Sequence, residues 1–132
     1  MEAVVQFSHA LADETRWRIL HLVCTDALCV CELAEVLEMP QSSVSSHLQV
    51  IRKAGLLDSE RCEKWIYYRL ASKFRPLLEA IRESFPTSKS GMTTLKRDAK
   101  KAAKRLSLRA ETCCPGPVEL ANIGPARGSK VK

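Results

Sequence analysis

The chain has 132 residues, 45% of them apolar and 27% charged, with 21 Lys and Arg against 15 Asp and Glu for a formal net charge of +6. That length is a single domain's worth and excludes a multi-domain enzyme, and no run approaches the roughly 18 consecutive apolar residues of a membrane span. The start Met1-Glu2-Ala3 lacks the basic residues and apolar run of a secretory signal, so a cytoplasmic chain with reduced thiols and no membrane partner is expected.

Val4, Phe7 and Leu11 recur at helical spacing, and Asp13 can cap a second helix carrying Trp17, Leu20 and Val23. A third helix begins near Val30 with Leu33, Val36 and Leu37 inward and stops at Met39-Pro40, because proline lacks an N–H and constrains the residue before it. A fourth runs from Gln41 or Ser42 to Ala54 with Val44, Leu48 and Ile51 at i, i+4 and i+7, and Gly55 stands where a left-handed cap is wanted. The period then changes to alternation over residues 57–61 and 64–70, a hairpin turning at Cys62-Glu63-Lys64. A fifth helix over residues 72–85 carries Phe74, Leu77, Leu78, Ile81 and Phe85 before Pro86 ends it. Gly and Pro are concentrated beyond that point, which divides the chain into a compact domain, residues 1–86, and a basic, partly helical or disordered tail, residues 87–132, holding a vicinal Cys pair. In the tail, residues 93–110 read as a helix with Leu95, Ala99, Ala102 and Leu106 on one stripe, and residues 119–132 read as disordered. A compact region of this size has a modest core, so packing a helical face against a second copy is a natural supplement.

The fold class is therefore mainly α with a small β-hairpin, in the order α-α-α-α-β-β-α of a winged helix-turn-helix, plus a basic C-terminal tail helix. In such an arrangement the second helix of the pair enters the major groove of DNA. At about 100° per residue, Val44, Leu48 and Ile51 point inward while Ser42, Ser43, Ser46, Gln49 and Lys53 fan across the opposite side. An ordinary solvated face favours Lys and Glu; hydroxyls and amides suit base edges and phosphates instead. Gln41, Ser45 and His47 complete the candidate reading set, His47 from the flank where it could equally pack, and Arg61 and Lys64 at the wing tip are placed for backbone or the minor groove.

The segments Leu11-Ala12-Asp13-Glu14-Thr15-Arg16-Trp17-Arg18-Ile19-Leu20, Leu28-Cys29-Val30-Cys31-Glu32-Leu33, Ser42-Ser43-Val44-Ser45-Ser46-His47-Leu48, Ala54-Gly55-Leu56 and Lys64-Trp65-Ile66-Tyr67-Tyr68-Arg69-Leu70 resemble, in register, the ArsR/SmtB family of metalloregulatory repressors. The resemblance covers about Phe7 to Phe85 and leaves the tail out. It implies a homodimer paired through the first and fifth helices, bound to a palindromic double-stranded operator and released by a toxic metal or metalloid. The Cys-Val-Cys element resembles the arsenic, antimony, cadmium and lead responders of that family.

Six cysteines in a reducing compartment point to metal or redox chemistry. Cys29 and Cys31 stand two apart, which on a regular helix is about 200° and sends their sulfurs to opposite sides. The apolar period starts at Val30, so Cys29 falls in the lead-in and Cys31 in the first turn, where the helix dipole is expected to favour thiolate. Trivalent arsenic or antimony takes three thiolates in a pyramid. Arsenic members of the family often carry the third Cys three positions after the second, where this chain has Ala34, and cadmium and lead members borrow thiols from an extended amino terminus, where this chain has none before Cys24. Cys24 reads as a buried small hydrophobe and Cys62 as an exposed wing-tip thiol, whereas Cys113 and Cys114, ahead of Pro115-Gly116-Pro117, form a chelating pair on a pliant segment. The expected ligand set is thus Cys29 and Cys31 closed by Cys113 and Cys114 of the same or the partner chain. The family's zinc site on the fifth helix has no counterpart, since residues 72–85 contain no His and no Asp.

The resulting expectation is a repressor with no constitutive cofactor and with As(III) or Sb(III) as inducer. Its alternatives are a thiol redox or persulfide sensor on the same scaffold and a Cd/Pb-responsive member. No nucleophile and base pair or phosphate-binding Gly loop supports an enzyme. The basic balance does not itself mark the reading module: residues 1–86 hold 10 Lys and Arg against 12 Asp and Glu, while residues 87–110 hold 8 against 1.

Overall fold

The computed structural model describes residues 1–109 and 114–120. Five helices and a three-stranded sheet form the body: α1 (Glu2–Leu11), α2 (Glu14–Thr25), β1 (Leu28–Cys29), α3 (Val30–Leu37), α4 (Gln41–Lys53), β2 (Leu57–Cys62), β3 (Trp65–Leu70), a 3-10 turn (Ser72–Phe74) and α5 (Arg75–Ser84), followed by α6 (Lys89–Ser107). The expected caps are in place. Asp13 accepts the Arg16 N–H at 3.0 Å to open α2, and Gly55 takes φ +76 after α4, a conformation that a side chain disfavours.

The core of α2, α3 and α4 lies where the helical periods placed it, with Leu20, Val23, Leu33, Val36, Val44, Leu48 and Ile51 all buried, and Ile19 and, from β3, Leu70 join it. Arg16 is also buried and closes the end of α1, its Nε and Nη2 donating to the carbonyls of Ala10 (3.0 Å) and His9 (2.8 Å). The wing pairs antiparallel from Leu57↔Leu70 to Cys62↔Trp65, with Glu63 in the left-handed region (φ 58) at the turn.

Two elements differ from the sequence reading. The hairpin gains a third strand, because β1 pairs with β3 through Leu28↔Tyr68 and Cys29↔Tyr67; two residues are too few to carry a period. The tail helix starts at Lys89, four residues before the expected start, with the Ser88 hydroxyl accepting the Gly91 N–H at 3.2 Å. It packs on α2 and α3, and its inward face is Asp98, Ala102 and Arg105, not a purely apolar stripe; Ala99 is exposed. The reason is electrostatic: Asp98 pairs with Arg18 of α2 and Arg105 with Glu35 of α3. No helix among the described residues is long and apolar enough to cross a membrane.

Candidate thiol centre and nucleic-acid interface

Cys29 is the N-cap residue of α3, with extended backbone (φ −94, ψ 171), and Cys31 lies in the first helical turn. Leaving the helix at Cys29 is what turns the two sulfurs to one side, 3.3 Å apart. Pairing of Cys29 with Tyr67 across the sheet fixes this exit, and Glu32 secures it by accepting the Cys29 N–H at 3.1 Å, the reciprocal half of a capping box. Cys114 of the same chain supplies a third sulfur, 3.1 Å from that of Cys31 and 3.7 Å from that of Cys29. The three sulfurs lie within 4.8 Å of one another. Cys113 falls outside the described residues.

The thiols sit in a small apolar cluster of Ala27, Tyr67 and Leu120, with Cys62 and Trp65 packed against it. This placement overturns the expectation of an easily ionised Cys29. Burial pushes the Cys29 thiol far above its ordinary range, aided by the neighbouring Glu32 carboxylate and Cys31, and pushes Cys114 up to about 12. At Cys29 desolvation outweighs the half-charge of the helix start because that residue is buried among side chains. Cys62, expected to be exposed, is half-buried beside this cluster. Cys24 is half-buried elsewhere, with Arg75 Nη1 at 3.4 Å from its sulfur.

Acidic residues of α3 and basic residues of α6 bring the tail back to this point. Glu32, Glu35 and Glu38 face Arg109, Arg105 and Lys101 in reverse order, so the two helices run antiparallel: Arg109 Nε to Glu32 at 2.7 Å, Arg105 Nε to Glu35 at 3.0 Å, and Lys101 to Glu38. Asp98, almost fully buried, takes Arg18 of α2 through both oxygens at 2.8 and 2.9 Å. Three cations of the basic tail are thus spent inside the chain. Sequence reasoning passed over Glu32, Arg109, Glu60 and Tyr67; the capping-box spacing from Cys29 to Glu32 and the matching charge spacings of α3 and α6 were the available signals.

In the candidate nucleic-acid interface, Gln41, Ser42, Ser45, Ser46, Gln49 and Lys53 are exposed on α4, and Arg61 and Lys64 are exposed on the wing. Ser43 and His47 are half-buried, and the His47 Nδ1 lies 3.3 Å from Arg16 Nη1, which ties this flank residue to the α1–α2 junction. An open depression of about 420 Å³ joins the two sites, lined by Cys29, Val30, Cys31, Gln41, Lys64, Trp65, Ile66 and Tyr68. The first residue of the reading helix and the wing-tip lysine therefore border the thiol pair directly.

These elements define a winged helix-turn-helix protein with a thiol cluster at the start of the first helix of its pair. The model of the arsR family of bacterial regulatory proteins matches residues 13–59. The chain is 48% identical over 72 residues to the arsenic resistance transcriptional regulator ArsR1 of Pseudomonas putida, covering 54% of this chain and 56% of that protein. It is 34% identical over 86 residues to the putative arsenical resistance operon repressor ArsR of Halobacterium salinarum, covering 64% of this chain and 67% of that one. The chain belongs to the ArsR family. It spans a little over half the length of several of the curated relatives it matches, as with the 56% for Pseudomonas putida ArsR1. Among solved structures, the homodimeric winged helix-turn-helix DNA-binding domain of Mb0332 from Mycobacterium bovis, a possible ArsR-family regulator, is similar with a TM-score of 0.57 and 28% identity, covering 63% of this chain and 77% of that one.

Proposed function

We propose that this protein is a cytoplasmic, non-enzymatic transcriptional repressor that binds double-stranded operator DNA as a homodimer and leaves it when trivalent arsenic or antimony binds its thiols. The observation that carries this reading is the juxtaposition of Cys29, Cys31 and Cys114, three soft donors within 4.8 Å, at the start of the helix that precedes the reading helix. Three thiols without a histidine or carboxylate among them fit a thiophilic, three-coordinate ion. Cys113 remains a further candidate ligand. The polar outer face of α4 and the wing lysine and arginine supply the DNA contacts. Val4, Val5, Leu77 and Phe85, on and just beyond α1 and α5, are 69%, 61%, 41% and 72% exposed in the single chain, apolar surface of the kind a second copy covers.

The proposed response is short-range. Gathering three sulfurs at the α3 start bears on Gln41 and Lys64, which share the depression with Cys29 and Cys31, and on Val44 and Leu48, which are buried in the same core as α3. A coupling of about 1–3 kcal/mol is enough to weaken operator affinity roughly 5- to 150-fold. The test is fluorescence anisotropy on operator DNA under reducing conditions, titrated with arsenite, antimonite, cadmium, lead and zinc. Arsenite or antimonite releases the wild type, and Cys29→Ser and Cys31→Ser bind DNA normally but stay bound; normal induction of both variants overturns the reading. Release by cadmium or lead alone assigns the centre to those ions.

One observation favours a second reading. The Cys31 and Cys114 sulfurs lie only 3.1 Å apart, a pair positioned for oxidation to a disulfide. Loss of DNA binding on mild oxidation, with no response to any of the ions, selects a redox sensor.

A further inference from the structure

Cys114 lies between two sets of contacts that do not involve its sulfur. On its far side, Glu60 of β2 accepts three backbone N–H groups in succession, from Val118 (2.9 Å), Glu119 (2.9 Å) and Leu120 (2.8 Å). The Tyr67 hydroxyl accepts the Gly116 N–H at 2.8 Å, Arg69 Nη1 donates to the Leu120 carbonyl at 2.8 Å, and the Leu120 side chain is buried. Gly116 adopts φ +96, and a Cβ there would come within 3.2 Å of Arg109 Nη1, so the turn after Cys114 suits glycine in both conformation and space.

On its near side, Arg109 grips Glu32 with Nε at 2.7 Å and Nη2 at 2.8 Å, and the same Nη2 donates to the Ala27 carbonyl at 2.6 Å. Its guanidinium carbon lies 5.2 Å from the centre of the Tyr67 ring. Glu32 also holds the Cys29 N–H, and Tyr67 also holds Gly116. A closed circuit of polar contacts thus runs from the backbone of Cys29 through Glu32, Arg109 and Tyr67 to the segment that carries Cys114. Holding a Pro- and Gly-rich strap in one conformation costs backbone entropy, and a single thiol and a single leucine bury little surface to offset it. Charge-assisted hydrogen bonds at both ends are the compensating interaction.

We propose that Arg109 and Glu60 are the positioning residues of the thiol centre: by fixing the strap on either side of Cys114 they convert the Cys29–Cys31 pair into a three-sulfur site. The proposal rests on the effector reading only in its consequence, which is that the site favours an ion taking three sulfurs over a monosubstituted arsenical taking two. A wing residue and a tail-helix residue, neither of them a ligand, then set effector selectivity.

The test uses the full, reduced chain and two probes. Dibromobimane, which alkylates two nearby thiols with loss of two bromides, is followed by peptide mapping of the joined cysteines. In Arg109→Gln and Glu60→Gln the Cys31–Cys114 link falls at least fivefold while the Cys29–Cys31 link and operator binding are retained, and Arg109→Lys recovers part of the loss. Arsenite affinity falls about tenfold or more in the same variants, affinity for phenylarsine oxide shifts less than twofold, and in a Cys114→Ser background neither substitution weakens arsenite further. Unchanged Cys31–Cys114 linkage in both variants overturns the proposal, as does an arsenite loss that persists undiminished without Cys114. A wild type that links Cys31 to Cys114 as stated but takes no arsenite removes the effector reading and leaves the positioning roles standing.

Discussion

The sulfur of Cys31 lies 3.1 Å from that of Cys114 across 83 residues of sequence. Antiparallel packing of α6 on α3 makes the encounter, since it returns the chain to the end of α3 where Cys31 stands. The sulfurs of Cys29, Cys31 and Cys114 are therefore brought together within one chain.

Removing the third sulfur separates its contribution from that of the pair. Cys114→Ser is expected to bind operator like the wild type while requiring at least tenfold more arsenite for half-release, about 1.4 kcal/mol of lost effector binding. Cys24→Ser, remote from the cluster, leaves both quantities unchanged. Anisotropy titrations measure this directly, and equal arsenite sensitivity in the Cys114 variant removes that residue from the site.

The ion pair between Arg18 and Asp98 holds α6 to α2. Asp98 is 2% exposed, so Arg18→Ala strands a carboxylate that water cannot reach. The expected loss is about 3 kcal/mol in urea-unfolding free energy, and Asp98→Ala in the same chain recovers part of it by removing the orphaned charge. A loss below about 1 kcal/mol in the single variant contradicts the pair's structural role.

The protonated state of the thiols sets the pH dependence. Burial holds Cys29 well above its ordinary range and Cys114 near about 12, so both carry their protons at neutral pH. Neutral arsenous acid exchanges three hydroxyls for three thiols with release of water, whereas cadmium binding must release the thiol protons into solution. Between pH 6 and 8 arsenite affinity is therefore expected to be nearly flat, while cadmium affinity rises with pH, by about 100-fold per unit for two protons released. Stability runs in the opposite direction to cadmium affinity. Pushing these pKa values up favours the folded chain below the ordinary thiol value, and the advantage is lost as pH rises toward the raised values. Isothermal titration in buffers of different ionisation heat counts the protons; uptake of protons on arsenite binding would show that the thiols are ionised before the ion binds.

The wing supplies phosphate contacts in the proposed complex. Lys64 is exposed at the turn after β2 and its Nζ stands 5.1 Å from the Trp65 ring centre, which keeps the side chain along the wing. Lys64→Ala is expected to weaken binding of all sequences alike and to reduce the slope of log affinity against log salt by about 1. Gln49→Ala, on the exposed face of α4, instead relaxes preference at one base position with little change in slope. A slope unaltered by Lys64→Ala takes the wing tip off the DNA.

The helices, the wing, the caps at Asp13 and Gly55 and the exit of Cys29 from α3 were legible in the sequence because each follows from local period or local backbone chemistry. The two-residue strand β1 was not, since only its pairing with Tyr67 and Tyr68 defines it. The inward face of α6 was misread as apolar because its charges look solvated until Glu32, Glu35, Glu38 and Arg18 come opposite them. Vicinal cysteines marked the tail as a source of thiols, but the place of Cys114 is set by contacts distant in sequence, the ion pairs of α6 on one side and the Glu60 hydrogen bonds on the other. The protonation of Cys29 runs opposite to the local rule for the same reason. A helix start is a local field readable from neighbours in sequence, whereas desolvation is imposed by Tyr67 and Leu120, which lie far along the chain and close only in space.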